Sequence, residues 1–177
     1  EYFLDPKDSK KYNSGVITDG NIIVFSAGND WSPTPAYPGA YYKFVCVSSV
    51  GQDNLPSWFT NYGRGVNIAA PGGDSKLGIT ILSTLPSEAK SAAGQDYGYI
   101  EGTSQATPQV SSTVALGLSY AKKLGKKFTR DEFISMLLTS VDDLDNRLTG
   151  TKIAGDRTMN LDNYKGKMGT GCLDVWK

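Results

Sequence analysis

The sequence predicts an α/β domain with a mainly parallel sheet, and three observations carry that prediction. Residues 21–27, NIIVFSA, and 44–50, FVCVSSV, are apolar, β-branched runs without polar alternation, as expected of strands covered on both faces. Each is followed by a turn-rich stretch, GNDWSPTPAYPGAY and GQDNLPSWFTNYGRG, whose Asn, Asp, Gly and Pro residues break regular structure. A long apolar stripe at helical spacing then starts near Ser104. The 177 residues fit a single segment with a core of its own.

In chain order, VNIAAPG (66–72) is a shorter third strand closed by Pro71-Gly72. ITILSTL (79–85) and YGYIEG (97–102) are expected to pair as an antiparallel ribbon. The helix spans about residues 104–124, with Ala106, Val110, Val114, Ala115, Leu118, Ala121 and Leu124 as its stripe. Its early polar residues are small (Ser111, Ser112, Thr113), which predicts a helix buried nearly all round. Pro108 falls in its opening turns, where a missing amide is best tolerated. A second helix is expected over 129–140. Thr129 and Glu132 have capping-box spacing, and Phe133, Met136 and Leu137 supply its apolar face. GTGCLDVWK (169–177) reads as a closing packing segment. Three parallel strands with so few crossover helices make half a layered fold.

Composition removes several function classes. Eighteen basic and eighteen acidic residues balance, so there is no electrostatic footprint for nucleic acid or a membrane surface. The basic run KKLGKK (122–127) suits the negative end of a helix dipole. No apolar stretch has the length of a membrane span, and EYFLDPKDSKKYNSG (1–15) lacks a signal-peptide pattern. Cys46 lies in an apolar run and reads as a buried small hydrophobe; whether it pairs with Cys172 is left open by the sequence. Without a CxxC pair or a histidine, a zinc site is not expected. Asp19, Asp30, Asp53, Asp74 and Asp96 read as solvated loop carboxylates.

Two motifs remain as candidates for chemistry. In SAGND, a strand ends at Gly28-Asn29, pointing a carboxamide beyond the strand's carboxyl end, where α/β proteins place their sites. Its NH2 could stabilise a developing oxyanion; equally, Gly-Asn-Asp is ordinary turn chemistry. In GTSQATP, Ser104 opens a helix, where amide donors and the positive dipole end converge; Ser and Thr are also simply good N-caps. Glu101 stands three positions before Ser104, close enough for a substrate contact or a plain surface-loop role. A serine nucleophile needs a base, usually histidine, and this chain has none.

The order of the motifs says more than either alone. NIIVFSAGND, YPGAYYKFVCVSSV, SWFTNYGRGVNIAAPG, ILSTLP and YIEGTSQATPQVSSTVAL follow one another. The series resembles the C-terminal half of the catalytic domain of subtilisin-like serine proteases, over roughly residues 15–125. The resemblance implies a partial subtilisin-like fold whose buried central helix starts at the catalytic serine. Ser104 would be the nucleophile, and Asn29 the side-chain donor of the oxyanion hole beside the Ser104 N–H. Ser26, Ala27 and Gly28 would form a wall of the specificity pocket and Ala36, Tyr37 and Pro38 its floor, with Glu101 and Thr103 as further substrate contacts. Tyr37-Pro38 matches a position where the family often has a cis peptide. Gln105 and Gln109 replace a common methionine and a common non-catalytic histidine. The family's Asp and His motifs precede this segment and are expected upstream.

That resemblance implies a serine endopeptidase acting on peptide or protein substrates through an acyl-enzyme, with this segment inert alone. The alternative is a pseudoprotease that keeps the scaffold as an interaction module. No cofactor is required for such chemistry. Calcium is common in the family, but the PGAYYKF loop with Asn67 offers a weak site, because Asn67 is neutral. Further expectations are an exposed edge on the 21–27 strand, a homo-oligomer that covers it, a missing N-terminal half as partner, and a secreted or periplasmic parent.

Overall fold

The computed structural model describes Leu4, residues 15–86 and residues 96–177. The N-terminal stretch read above for signal patterns lies outside these residues, apart from Leu4 and Gly15. Three strands, β1 (Val24–Ser26), β2 (Val45–Val50) and β3 (Ile68–Pro71), run parallel, paired β1 to β2 and β2 to β3. Every residue of β2 is buried, which accounts for its unbroken apolar run. Val45 and Val47 pack on one face; Val50 packs on the other.

The ribbon of β4 (Ile81–Thr84) and β5 (Tyr97–Ile100) is antiparallel, with Ile81 opposite Ile100. It delivers the chain to α1 (Thr103–Lys123), which packs across the first three strands. Ala106, Val110 and Val114 meet Val45, Val47, Ile68 and Ala70 there. The second helix, α2 (Arg130–Thr139), has the expected capping box: Thr129 accepts from the Glu132 N–H, and Glu132 accepts from the Thr129 N–H. That backbone donor holds the Glu132 carboxyl below its usual range.

Two expectations about the helices are corrected. α1 is not buried nearly all round: Ser112, Ala115, Leu116, Ser119, Tyr120 and Leu124 are exposed. The small polar residues fit one sheet-facing stripe and one open face rather than an enclosed rod. Met136 is likewise exposed, and α2 buries only Phe133 and Leu137.

The larger addition is a second layer that the sequence did not suggest. The sheet has five strands in the order β1-β2-β3-β9-β6, where β6 is Val141–Asp142 and β9 is Cys172–Leu173. β9 lies parallel to β3 and antiparallel to β6. The hairpin of β7 (Thr151–Ala154) and β8 (Arg157–Asn160) and the turns around it cover the face away from α1. Leu148, Met159, Leu161, Tyr164 and Met168 form that core with Val50 and Ala69. The segment GTGCLDVWK therefore supplies an interior strand as well as a closing stretch. Tyr37-Pro38 is cis, as the resemblance implied.

Cys46 and Cys172 are both free and buried. Burial pushes the Cys46 thiol from an ordinary 9.0 to about 12. Cys172 rises to about 11, through burial first and the Asp142 carboxylate second. Raised values mean the fold favours the neutral thiols. Their contribution to stability is complete below about pH 9 and is lost as pH climbs through the folded values. Neither cysteine is expected to react with iodoacetamide at about pH 8 in the native state, while both react once unfolded. Native alkylation at a free-thiol rate, read by mass spectrometry, would contradict this.

Candidate functional site

The site is built where three loops meet: the turn after β1, the turn after β3 and the entry to α1. Gly102 caps α1 with a φ of 152°, and its N–H donates to the Gly72 carbonyl at 2.9 Å. That bond ties the helix start to the end of β3. Gly72 itself has no room for a side chain, since a Cβ would stand 2.5 Å from the Gly102 carbonyl oxygen. Gln109 reinforces the junction by donating to the Pro71 carbonyl.

The first turn of a helix leaves amide donors without helical acceptors, and here their distribution is selective. Thr103 N–H donates to Asn29 Oδ1 at 2.9 Å. Gln105 and Ala106 N–H both turn to the Gly102 carbonyl. Among the described residues the Ser104 N–H has no acceptor. Asn29 Oδ1 also accepts from the Thr103 hydroxyl at 2.8 Å, and that hydroxyl accepts from the Gly28 N–H at 3.2 Å. With its oxygen held by two donors, the Asn29 amide cannot turn over without losing both bonds. Its Nδ2 is left facing outward, on an exposed residue.

The two open donors converge. A Cβ placed on Gly102 would stand 2.8 Å from Gln105 Oε1, 3.4 Å from Asn29 Nδ2 and 3.6 Å from Ser104 N, so both donors border the space beside that glycine, which the Gln105 amide oxygen now shares. An oxyanion that displaced the Gln105 amide could accept hydrogen bonds from both there. The Ser104 hydroxyl is exposed beside it, at the mouth of a groove between β1 and α1 lined by Val24, Ser26, Thr107, Pro108 and Ser111.

The remaining sequence candidates distribute unevenly. Ser26 lines the groove. Ala27 is buried, and Ala36 N–H donates to its carbonyl at 2.7 Å. Gly28 packs closely on Ala36 and Asn61, which brings the proposed wall and floor together. Thr103 is fully buried and acts by orienting Asn29, where the sequence suggested a substrate contact. Glu101 adjoins the site, but its carboxylate already accepts from Trp58 Nε1 at 3.2 Å and the Ser75 hydroxyl at 2.7 Å. Asn67 Oδ1 accepts from the Cys46 N–H at 2.7 Å, so its oxygen holds two strands together.

Two residues that sequence reasoning missed hold the loops in place. Asn61 is buried within the Asn29 turn. Its Oδ1 accepts from the Asp30 and Ser32 N–H groups, and its Nδ2 donates to the Ala27 carbonyl and Asp30 Oδ2. Lys152, from β7, is buried against Asp74 and Asp53, on the far side of the turn after β3. A polar residue in a turn and a lysine in a short strand carry no signal that either is interior.

A family model described as the subtilase family, Peptidase_S8, matches residues 5–159. The major intracellular serine protease of Bacillus subtilis is 30% identical over 147 residues, which cover 80% of this chain and 42% of that protein. The extracellular basic protease of Dichelobacter nodosus is 32% identical over 130 residues, or 73% of this chain and 21% of its own length. The chain thus spans less than half of these curated relatives. Among solved structures, a protease from Pseudoalteromonas arctica superposes with a TM-score of 0.66 at 27% identity, covering 88% of this chain and 41% of that one. A lanthipeptide protease shares the fold with the same TM-score at 24% identity. With the parallel sheet, the Ser104 helix and most of its length matched, the chain belongs to the subtilase family of subtilisin-like serine proteases.

Proposed function

We propose that this chain carries the nucleophile and the oxyanion hole of a serine endopeptidase whose base lies in an N-terminal half. The observation that supports it is that two unused donors, Asn29 Nδ2 and Ser104 N–H, border one space at Gly102, shared with the movable Gln105 amide, at an exposed serine. In this reading Ser104 Oγ attacks the peptide carbonyl while its proton passes to a histidine of the other half. The oxyanion accepts from both donors, and collapse expels the amine, which takes the proton. Water then cleaves the ester by the same steps. The chemistry needs no organic cofactor and no metal.

The exposed β1 edge and the open face of α1 are where the N-terminal half would pack; in its absence a second copy would cover them. Substrates are peptides or proteins, entering along the wall Ser26–Gly28 over Ala36. Export of the parent protein is part of the reading. It draws on the relative named extracellular, although the Bacillus subtilis relative is named intracellular.

A fluorophosphonate probe tests the proposal. It is expected to label Ser104 when this chain is joined to an upstream segment bearing Asp and His motifs, and not to label the 177 residues alone. Rapid labelling of the chain alone would overturn the claim that its base is external. Lack of labelling in the joined protein would favour the pseudoprotease reading, for which the absence of histidine from this chain is the supporting observation.

A further inference from the structure

Among the loops that carry Asn29 and Glu101, the structure holds a cation that nothing in the proposed chemistry uses. The Arg157 guanidinium, from β8, lies 4.7 Å from the ring centre of Trp31 and 4.8 Å from that of Trp58. Both indoles are anchored. Trp31 Nε1 donates to the Tyr164 hydroxyl at 2.7 Å, and Trp58 Nε1 donates to Glu101 Oε1. Trp31 follows Asn29 by two residues, and Glu101, which holds Trp58, precedes Ser104 by three, so the three side chains form a platform tied to the loops that carry the site residues.

A guanidinium held against two aromatic rings keeps its N–H edges available while losing much of its freedom. Among the described residues no carboxylate lies within ion-pair distance of it; the recorded ion pairs involve Arg130, Lys152, Lys165 and Lys177. Lys76 Nζ adds a second positive charge, 5.3 Å from the Trp58 ring centre. The one neighbouring carboxylate tied to the platform, Glu101, is occupied by Trp58 and Ser75. A partly buried arginine with a fixed fork and no anion is a ready receptor for a carboxylate.

We propose that Trp31, Trp58 and Arg157 form a subsite for a carboxylate on the bound peptide, close to the cleaved bond. The platform discriminates by charge and by the paired oxygens of the ligand. The carboxylate belongs to an acidic side chain or to a peptide terminus. Calling the peptide a substrate rests on the peptidase reading; the recognition of its carboxylate does not.

The test uses the protein with Ser104→Ala, so that no turnover intervenes, and Trp176→Phe, which removes the third tryptophan, 99% exposed. Emission of Trp31 and Trp58 then reports titration with N-acetylated, C-amidated hexapeptides containing Glu or Gln. The Glu peptide is expected to bind about tenfold or more tightly than the Gln peptide, the scale of a charge-assisted hydrogen bond. That preference should shrink at high salt. Arg157→Gln should erase it, and Arg157→Lys should restore only part of it. A third peptide, with Gln and a free C-terminal acid, separates side chain from terminus. Equal binding of the Glu and Gln peptides overturns the proposal. So does an Arg157→Gln variant that melts at a lower temperature yet keeps the preference, since the arginine would then only brace the hairpin. A joined protein with Ser104 intact that resists fluorophosphonate, while the Glu preference persists, would sink the peptidase reading alone.

Discussion

Replacing Lys152 with methionine is expected to cost about 3–5 kcal/mol of unfolding free energy, the scale for breaking a buried ion pair from one side. Lys152 is 5% exposed. Its Nζ stands 2.8 Å from Asp74 Oδ2 and 3.0 Å from Asp53 Oδ2, and donates to the Pro56 carbonyl at 2.9 Å. Asp74 has no solvent exposure, so without the ammonium its charge stays desolvated and uncompensated. Asp53, at the rim, can turn to water. Adding Asp74→Asn to Lys152→Met removes the stranded charge and should recover part of the loss. The site should feel the single substitution too, because the same turn carries Gly72 and Ser75, which hold Gly102 and Glu101. Urea unfolding checks the prediction; a loss under about 1 kcal/mol, typical of a surface pair, would refute it.

Asn61→Leu is the second large effect, at about 3 kcal/mol. The residue is 1% exposed and makes four hydrogen bonds, of 2.8 and 3.0 Å as acceptor and 3.1 and 3.3 Å as donor. A leucine of similar shape strands the Asp30 and Ser32 N–H groups, each at a cost of about 1–3 kcal/mol. Those bonds straddle Asn29, so the turn that aims the oxyanion donor would loosen with them. In the joined protein, fluorophosphonate labelling should slow by more than the fraction unfolded explains. Asn61→Asp keeps both acceptor bonds but sets a second carboxylate beside Asp30. It should preserve more of the turn than leucine does. Equal stability of Asn61→Leu and the parent protein, read by thermal melting, would show that the network contributes little.

What could be read in the sequence was local or serial. β2 announces itself as a short apolar run because both of its faces are covered, β1 reads the same way although its residues are only half-buried beside an open groove, and the Thr129–Glu132 cap is a three-residue signal. Ser104 and Asn29 were singled out by motif order, which no structural reasoning about either residue alone would supply. The rest depends on distance along the chain. Thr103 orients Asn29 from 74 positions away, and Lys152 reaches Asp74 across 78. Neither bond leaves a trace in neighbouring residues. The segment 141–168 yielded no predicted element because Leu148, Met159 and Tyr164 are buried without periodic spacing. α1 was misjudged for a related reason: small hydroxyl residues suit a crowded interior, but they equally suit an open groove beside β1.

The position of β9 also governs the order of assembly. Its residues, Cys172 and Leu173, close the gap between β3 and β6, more than a hundred positions after Ala69, with which Cys172 pairs. During synthesis β3 therefore emerges with one hydrogen-bonding edge open, and it stays open until Cys172 and Leu173 have been made. Pairings of such long sequence separation form slowly, and a waiting edge can recruit another chain. Nascent copies of this protein are thus most exposed to mispairing after the Ser104 helix has formed but before β9 arrives.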